Sequence, residues 1–208
     1  MTEPVPLSET LARLEARSRE KAGELNLPAG AVVQQIERGN VPVRFAHAAL
    51  EDFTGEPHDM VRAWLAVAGG FMISGPVGTG KTHLAIAAAR ASEKQFLFFP
   101  VVEVLDAMRP GGDGSITPAR LAAVSVLVLD DLGAEKASDW TADRLYAIVN
   151  RRWLECKPTI VTTNLLLGTP STSGDEGYLI GAVGERLYSR LADGSIGLRL
   201  SGADRRRA

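Results

Sequence analysis

Cysteine is nearly absent from this sequence: Cys156 stands alone among 208 residues. A disulfide within the chain is therefore excluded, and a cysteine-based zinc site has no ligands to draw on. Histidine is scarce too, and His47, His58 and His83 show none of the spacings of metal-ligand pairs. Net charge is only −2 at pH 7. No overall field draws the chain to nucleic acid or membrane, so any DNA contact must come from a local patch or loop. A run of about eighteen apolar residues, the minimum for a membrane-spanning helix, is missing. The first residues, MTEPVPLSET, lack the basic segment and apolar core of a secretion signal. Together these absences make a reducing cytoplasm the expected compartment.

What is present suits one folded domain. Hydrophobic residues make up 45% of the chain and charged ones 23%, enough to bury a core of moderate size. Residues 1–40 differ in character from the rest. Leu7, Leu11 and Leu14 recur at helical spacing with Ser8 as an N-cap, NLPAG interrupts, and AVVQQIERG reads as a second short helix ending at Gly39. Such pieces are too short to fold alone, so a helical N-terminal extension is expected, either solvated or docked on the main domain or a partner.

From Val41 onward strands and helices alternate. Phe71–Ser74, FLFFP, Val124–Leu129, TIVTT and IGLRL read as strands. Thr82–Ala91, VVEVLDAM, Thr117–Ala123, Thr141–Cys156 and Ile180–Ala192 read as helices. Alternation of this kind predicts an α/β fold with a parallel sheet. LLLGTPSTSGDEGY reads as a long loop.

FMISGPVGTGKTHLA carries Gly75, Gly80, Lys81 and Thr82 at the spacing G-x-x-x-x-G-K-S/T, after an apolar strand and at the start of a helix. Phosphate binding needs these residue types. Glycines let backbone amides turn inward around phosphate oxygens. Lys81 brings a charge to the β and γ phosphates, and the Thr82 hydroxyl can ligate Mg²⁺. The following helix aims its positive end at the anion. The nucleotide-binding segment is accordingly Gly75, Pro76, Val77, Gly78, Thr79, Gly80, Lys81, Thr82 and His83, with His83 a packing or surface residue rather than a catalyst.

VLVLDD places Asp130 and Asp131 at the end of a strand 49 residues after Lys81. In open parallel sheets the ligand crevice lies at the carboxyl ends of strands. Mg²⁺ takes oxygen ligands, often one or two carboxylates completed by phosphates and water. Asp130 fits that role beside Thr82. Side chains alternate along a strand, so Asp131 points elsewhere. It either orients the attacking water or serves as a loop or helix-cap carboxylate. Glu135 is a further candidate for polar support.

Taken jointly, GPVGTGKTHL, LVLDDLGAEKASDW, RLYAIVNRRW, KPTIVTTNL, GERLYSRL and LRLSGADRR resemble the DnaC/DnaI/IstB group of AAA+ ATPases, relatives of the initiator DnaA. The resemblance runs from about Val41 to Arg206, and VPVRFAHAALEDF is similar to the family's lead-in to the ATPase core. It implies an AAA+ P-loop core over residues 41–208. That core has a five-stranded parallel sheet between helices, follows the helical extension at 1–40, and has no C-terminal lid domain. It implies ATP or ADP with Mg²⁺ between subunits of a homo-oligomer, in a bacterium or bacteriophage.

The same resemblance assigns Asn164 the polar sensor position, the alternative being a strand-end turn. Arg190 matches the arginine finger that reaches a neighbouring subunit's nucleotide, the alternative being a surface arginine. Ile180, Val183, Leu187 and Leu191 supply the buried stripe of that helix, with Arg186 and Arg190 beside it. Arg205, Arg206 and Arg207 stand where a second sensor arginine would lie, or form a basic tail. Phe45 and Phe53 are candidates for the adenine. Asp131 departs from the longer glutamate usual in broader AAA+ proteins, so hydrolysis is expected to be slow or partner-dependent.

The partners implied are a replicative DnaB-type helicase, held by the N-terminal helices, and single-stranded DNA. For DNA, the corresponding stretch VVEVLDAMRPGGDGSIT offers only Arg109 as a nearby cation. The expected function is helicase loading. Rivals are an IstB-like transposition helper, a non-hydrolysing nucleotide-gated adaptor and a small-molecule kinase.

Overall fold

The computed structural model describes residues 40–67, 69–111, 116–135, 138–170, 177–202 and 204. Residues 1–39 of the expected extension at 1–40, and Arg205 to Arg207, lie outside the described residues.

Five strands form one parallel sheet in the order β2-β3-β4-β1-β5. They are β1 (Phe71–Ser74), β2 (Phe96–Pro100), β3 (Val126–Asp130), β4 (Thr159–Thr163) and β5 (Ile196–Arg199). Every residue of β1 and β4 is buried, and so are the first four of β3, because helices cover both faces of these central strands. The edge strand β5 exposes Gly197 and Arg199 while burying Leu198. At the opposite edge Asn40 takes the place of a neighbouring strand. Its Oδ1 accepts from Phe98 N at 2.8 Å and its Nδ2 donates to Phe98 O at 2.6 Å. A side-chain amide thus satisfies edge groups that would otherwise invite another chain.

The helices are α1 (Glu56–Val67), α2 (Lys81–Ala91), α3 (Val101–Met108), α4 (Pro118–Ala123), α5 (Asp139–Leu154), α6 (Leu179–Val183) and α7 (Glu185–Ala192). Strand alternation sorts the core into two layers. Phe71, Ile73, Val126, Val128 and Ile160 pack under α1 and α2. Met72, Leu127, Leu129 and Val161 face α3 to α7. Ala85, Ala87, Ala88 and Ala89 of α2 are fully buried and let it lie close on the sheet.

Two elements differ from the sequence reading. Helix α1, which the reading lacked, buries Val61 and Trp64, and the Trp64 ring stacks on Phe71 at 5.9 Å. The helix expected from Ile180 to Ala192 is two helices. Gly184, at φ 82°, separates them. The break resets the helical phase, so Leu179, Val183, Leu187 and Leu191 form the buried stripe and Ile180 is only half-buried.

A charged residue sits inside this core. Arg152 on α5 has no solvent exposure. Its Nε donates to Thr159 Oγ1, its Nη1 to the carbonyls of Leu121 and Val124, and its Nη2 to those of Ser125 and Pro158. It ties the α4–β3 turn to the start of β4. Burial pulls the guanidinium down to about 10, which leaves it a cation at neutral pH.

Candidate functional site

The phosphate loop joins the end of β1 to the start of α2. Gly75, at φ 144°, passes so near Leu200 that a Cβ there would lie 2.3 Å from the Leu200 carbonyl. Gly80, at φ 96°, turns the chain into α2 in a left-handed conformation that most residues avoid. Within the loop, the carbonyl of Pro76 accepts from Thr79 Oγ1 at 2.9 Å and from Lys81 Nζ at 2.8 Å. Val77 stands exposed at the loop's tip.

Lys81 is only 8% exposed. Its Nζ also donates to Asn164 Oδ1 at 2.8 Å. The Asn164 amide in turn donates from Nδ2 to Asp131 Oδ1 at 2.7 Å. A single side chain therefore bridges the phosphate-loop cation and the second aspartate. Asn164 can do this because it follows β4, which lies between β1 and β3 in the sheet.

The two aspartates have separate surroundings. Asp130 Oδ1 accepts from Thr82 Oγ1 at 2.9 Å and from Thr162 Oγ1 at 2.6 Å. Burial pushes its carboxyl above the usual range and Asp131 adds to this, while the two hydroxyls and Lys81 pull it back. Asp131 lies just past the strand at φ 59°, a left-handed conformation unusual for a non-glycine residue. Its N–H donates to Thr162 Oγ1 at 2.9 Å, and its side chain is exposed toward Asn164. Backbone strain of this kind costs about 1–3 kcal/mol and gathers at functional sites.

Thr162 is the residue sequence reading missed. Its hydroxyl donates to Asp130 and accepts from the Asp131 backbone, so it holds the Asp130 carboxylate and the Asp131 main chain at once. Its signal was its place on a strand two residues before Asn164, the spacing at which side chains of an extended chain share a side. Asp204 was missed as well. A Cβ added at Gly78 would lie 2.1 Å from Asp204 Oδ1, so this carboxylate lies directly on the phosphate loop. Glu135 does supply polar support. Its Oε2 accepts from Gly133 N at 2.8 Å and closes the turn after β3, while burial raises its own carboxyl.

His83 packs on the lead-in segment. Its Nε2 lies 2.6 Å from Asp52 Oδ2, and its ring meets Phe53 edge-on at 5.4 Å. Of the two aromatics considered for adenine, Phe53 is buried in the core. Phe45, with Arg44, lines a cavity of about 220 Å³ that also touches Gly78, Gly80, Lys81 and Thr82.

Arg190 is not brought to this site. Its Nε donates to Asn150 Oδ1 at 3.2 Å, and its guanidinium lies 4.0 Å over the Trp153 ring. It lines a different cavity of about 300 Å³ with Gly70, Thr159 and Ser195, residues at the starts of β1, β4 and β5. The phosphate loop lies beyond the other ends of those strands.

The donor set fits a hard divalent cation. Thr82 and Asp130 offer a hydroxyl and a carboxylate side by side at the helix N-terminus. Among the described residues no group of three or more His, Cys, Asp or Glu could form an all-protein cage. One or two protein oxygens, completed by phosphates and water, are the usual arrangement for Mg²⁺.

Comparison with known proteins gives one coherent neighbourhood. The family model described as IstB-like ATP binding protein matches residues 60–192. The phage-like element PBSX protein XkdC of Bacillus subtilis is 31% identical over 131 residues, 57% of this chain and 46% of XkdC. The replicative helicase loader DnaC of Escherichia coli is 32% identical over 102 residues, 45% of this chain and 42% of DnaC. A putative ATP-binding protein in a Mycobacterium tuberculosis insertion sequence is 30% identical over 135 residues, 57% of this chain and 54% of that protein. The matches thus span about half the length of these relatives or less. The crystal structure of the DnaC helicase loader superimposes with a TM-score of 0.62 at 27% identity, covering 76% of this chain and 99% of that one.

Proposed function

Because this chain belongs to the IstB-like ATP-binding protein family and has the AAA+ P-loop fold, we propose that it is an ATPase that loads a replicative DnaB-type helicase onto DNA. The observation that carries the ATPase reading is the Asn164 bridge between Lys81 and Asp131. It links a phosphate-contacting cation to a carboxylate able to direct water. Phosphoryl transfer needs little more than positioning and charge stabilisation.

In this reading Lys81 exchanges the Pro76 carbonyl for the β and γ phosphates of ATP. Asn164 then senses the γ-phosphate through the same amide that holds Asp131. Thr82 and Asp130 would hold Mg²⁺, which would neutralise negative charge on the phosphates when bound. Asp131 directs the attacking water, held toward it by the bond to Asn164, and its reach, one methylene shorter than a glutamate's, keeps hydrolysis slow until a partner completes the site. Arg190, at the far ends of the strands from its own phosphate loop, serves the nucleotide of an adjacent copy. Oligomerisation is thereby coupled to ATP. Residues 1–40 are the proposed helicase-binding segment, and the compartment is the cytoplasm. No described helix is long and apolar enough to cross a membrane. Single-stranded DNA contacts near α3 rest on little charge, because Arg109 already pairs with Asp106 at 3.3 Å.

The loader reading draws its support from the overlay on nearly the whole solved DnaC loader chain. A transposition helper is the second reading, favoured by the family description and the insertion-sequence relative. Co-purification with ATP, offering a hexameric replicative helicase and a transposase from the same host, separates the two. Helicase retention with turnover that rises on adding single-stranded DNA is expected. Retention of the transposase alone would replace the loader reading. ATP binding without any turnover in either complex would leave a nucleotide-gated adaptor.

A further inference from the structure

The polar strip between α5 and α7 lies outside the phosphate site and has an ordered chemistry of its own. On α5, Tyr146, Asn150 and Trp153 recur at spacings of four and three, so they share one face. On α7, Arg186 and Arg190 stand one turn apart and meet that face. The Arg186 guanidinium lies 3.8 Å over the Tyr146 ring, and Arg190 lies 4.0 Å over Trp153. Asn150 Oδ1 is the shared acceptor, taking Arg190 Nε at 3.2 Å and Tyr146 Oη at 3.1 Å. Trp153 is itself pinned, its Nε1 donating to Asp193 Oδ2 at 2.7 Å just past the end of α7. The Tyr146 phenol is held below its ordinary range, first by Arg186 and then by Arg190, as expected for a group inside this cluster.

A surface arginine normally samples many rotamers, and ordering one costs side-chain entropy. Here one edge of the Arg190 guanidinium is fixed by Asn150 and one face by Trp153. Fixing an edge and a face of a planar fork leaves its Nη groups a single direction. We infer that Asn150 and Trp153 are positioning residues that pre-set Arg190 for the phosphates of an adjacent copy's ATP, with Tyr146 and Asp193 holding the two holders in place. The inference rests on the reading of Arg190 as a residue acting between copies.

Mixed full-length proteins test the two separately. Copies carrying Arg190→Ala have a competent nucleotide site and no finger. Copies carrying Lys81→Ala have a finger and no competent site. Turnover of ATP by the mixture, well above either alone, is the expected baseline. Adding Trp153→Ala or Asn150→Ala to the Lys81→Ala copies is expected to lower that turnover about tenfold or more, since a misplacement near 1 Å can cost roughly 10²-fold. The same changes in the Arg190→Ala copies, which have no finger to hold, are expected to leave it unchanged. Trp153→Phe, which keeps the stacking face, is expected to retain most of it. Turnover that survives Trp153→Ala and Asn150→Ala in the finger-donating copies overturns the positioning role alone. Equal loss whichever copy carries them also overturns it, by assigning these residues to general folding. A mixture with no turnover above its components overturns the action between copies, and the positioning role with it.

Discussion

Asn164 donates its amide to Asp131 across 2.7 Å while accepting from Lys81 at 2.8 Å. Two residues separated by 33 positions in the chain are thereby joined in one polar relay. The carboxylate proposed to direct water is coupled to whatever the lysine touches.

Asn164→Ala breaks both bonds and leaves the loop glycines and Thr82 in place. Nucleotide affinity is expected to change by no more than a few-fold, with turnover falling about 10²-fold, the usual cost of losing one preorganised polar group. Equilibrium binding of a fluorescent ATP analogue and steady-state turnover give the two numbers. An unchanged kcat would remove Asn164 from the mechanism.

Asp130→Asn is expected to separate stability from activity. The folded carboxyl is held above its unfolded value, chiefly by burial. A native state that takes a proton more readily than the unfolded chain pays for the charged form at any pH above the folded value, and is relieved as pH falls through it. The neutral amide removes that cost and can still accept from Thr82 and Thr162. Tm at pH 7 without Mg²⁺ or nucleotide should rise, while Mg²⁺-dependent turnover is lost. A Tm that falls would contradict the cost assigned to the buried charge.

Arg152→Met takes a donor from six acceptors that the guanidinium satisfies, five backbone carbonyls and the Thr159 hydroxyl. Losing a buried hydrogen-bond network of this size costs about 3 kcal/mol or more. Arg152→Lys has three donors on a point charge in place of a planar fork and should recover only part. Urea denaturation of both variants checks the order. A lysine variant as stable as the parent would mean that charge, not the fork, holds the α4–β3 turn.

Gly75→Ala is expected to act on the fold as well as on ATP. Its φ of 144° and the Leu200 carbonyl 2.3 Å from an added Cβ leave no relaxed placement for a methyl group. The close approach of the loop to the residue after β5 would open. A loss of thermal stability without nucleotide is the expected reading, and an unchanged Tm would show that the loop yields freely.

Much of the site was legible before any fold was known. The glycines, Lys81, Thr82 and the aspartate pair are local signals, because a phosphate cradle and a strand-end carboxylate each need particular residue types at fixed spacing. Glu135 and His83 stood out by the same reasoning, and the structure adds their contacts with Gly133 and with Asp52 and Phe53. The single helix drawn over Ile180 to Ala192 was not correct, since its apolar period ran on across Gly184 without registering the turn there. Phe53 was considered beside Phe45 for the adenine, yet it belongs to the core. Aromaticity alone does not say which side of a short turn faces the ligand.

What the chain determined by itself is the set of local, steric and periodic requirements: five apolar strands, a left-handed turn at each loop glycine, and charged groups at strand ends. What only the tertiary structure decided is which distant polar groups share a donor. Thr162 serves both aspartates because β4 lies beside β3. Asn164 reaches Lys81 because β4 also lies beside β1. Arg190 faces Asn150 and Trp153 because α7 packs on α5. Hydrogen bonds act over about 3 Å, so their pairing follows strand order and helix packing, and no spacing along the chain encodes it.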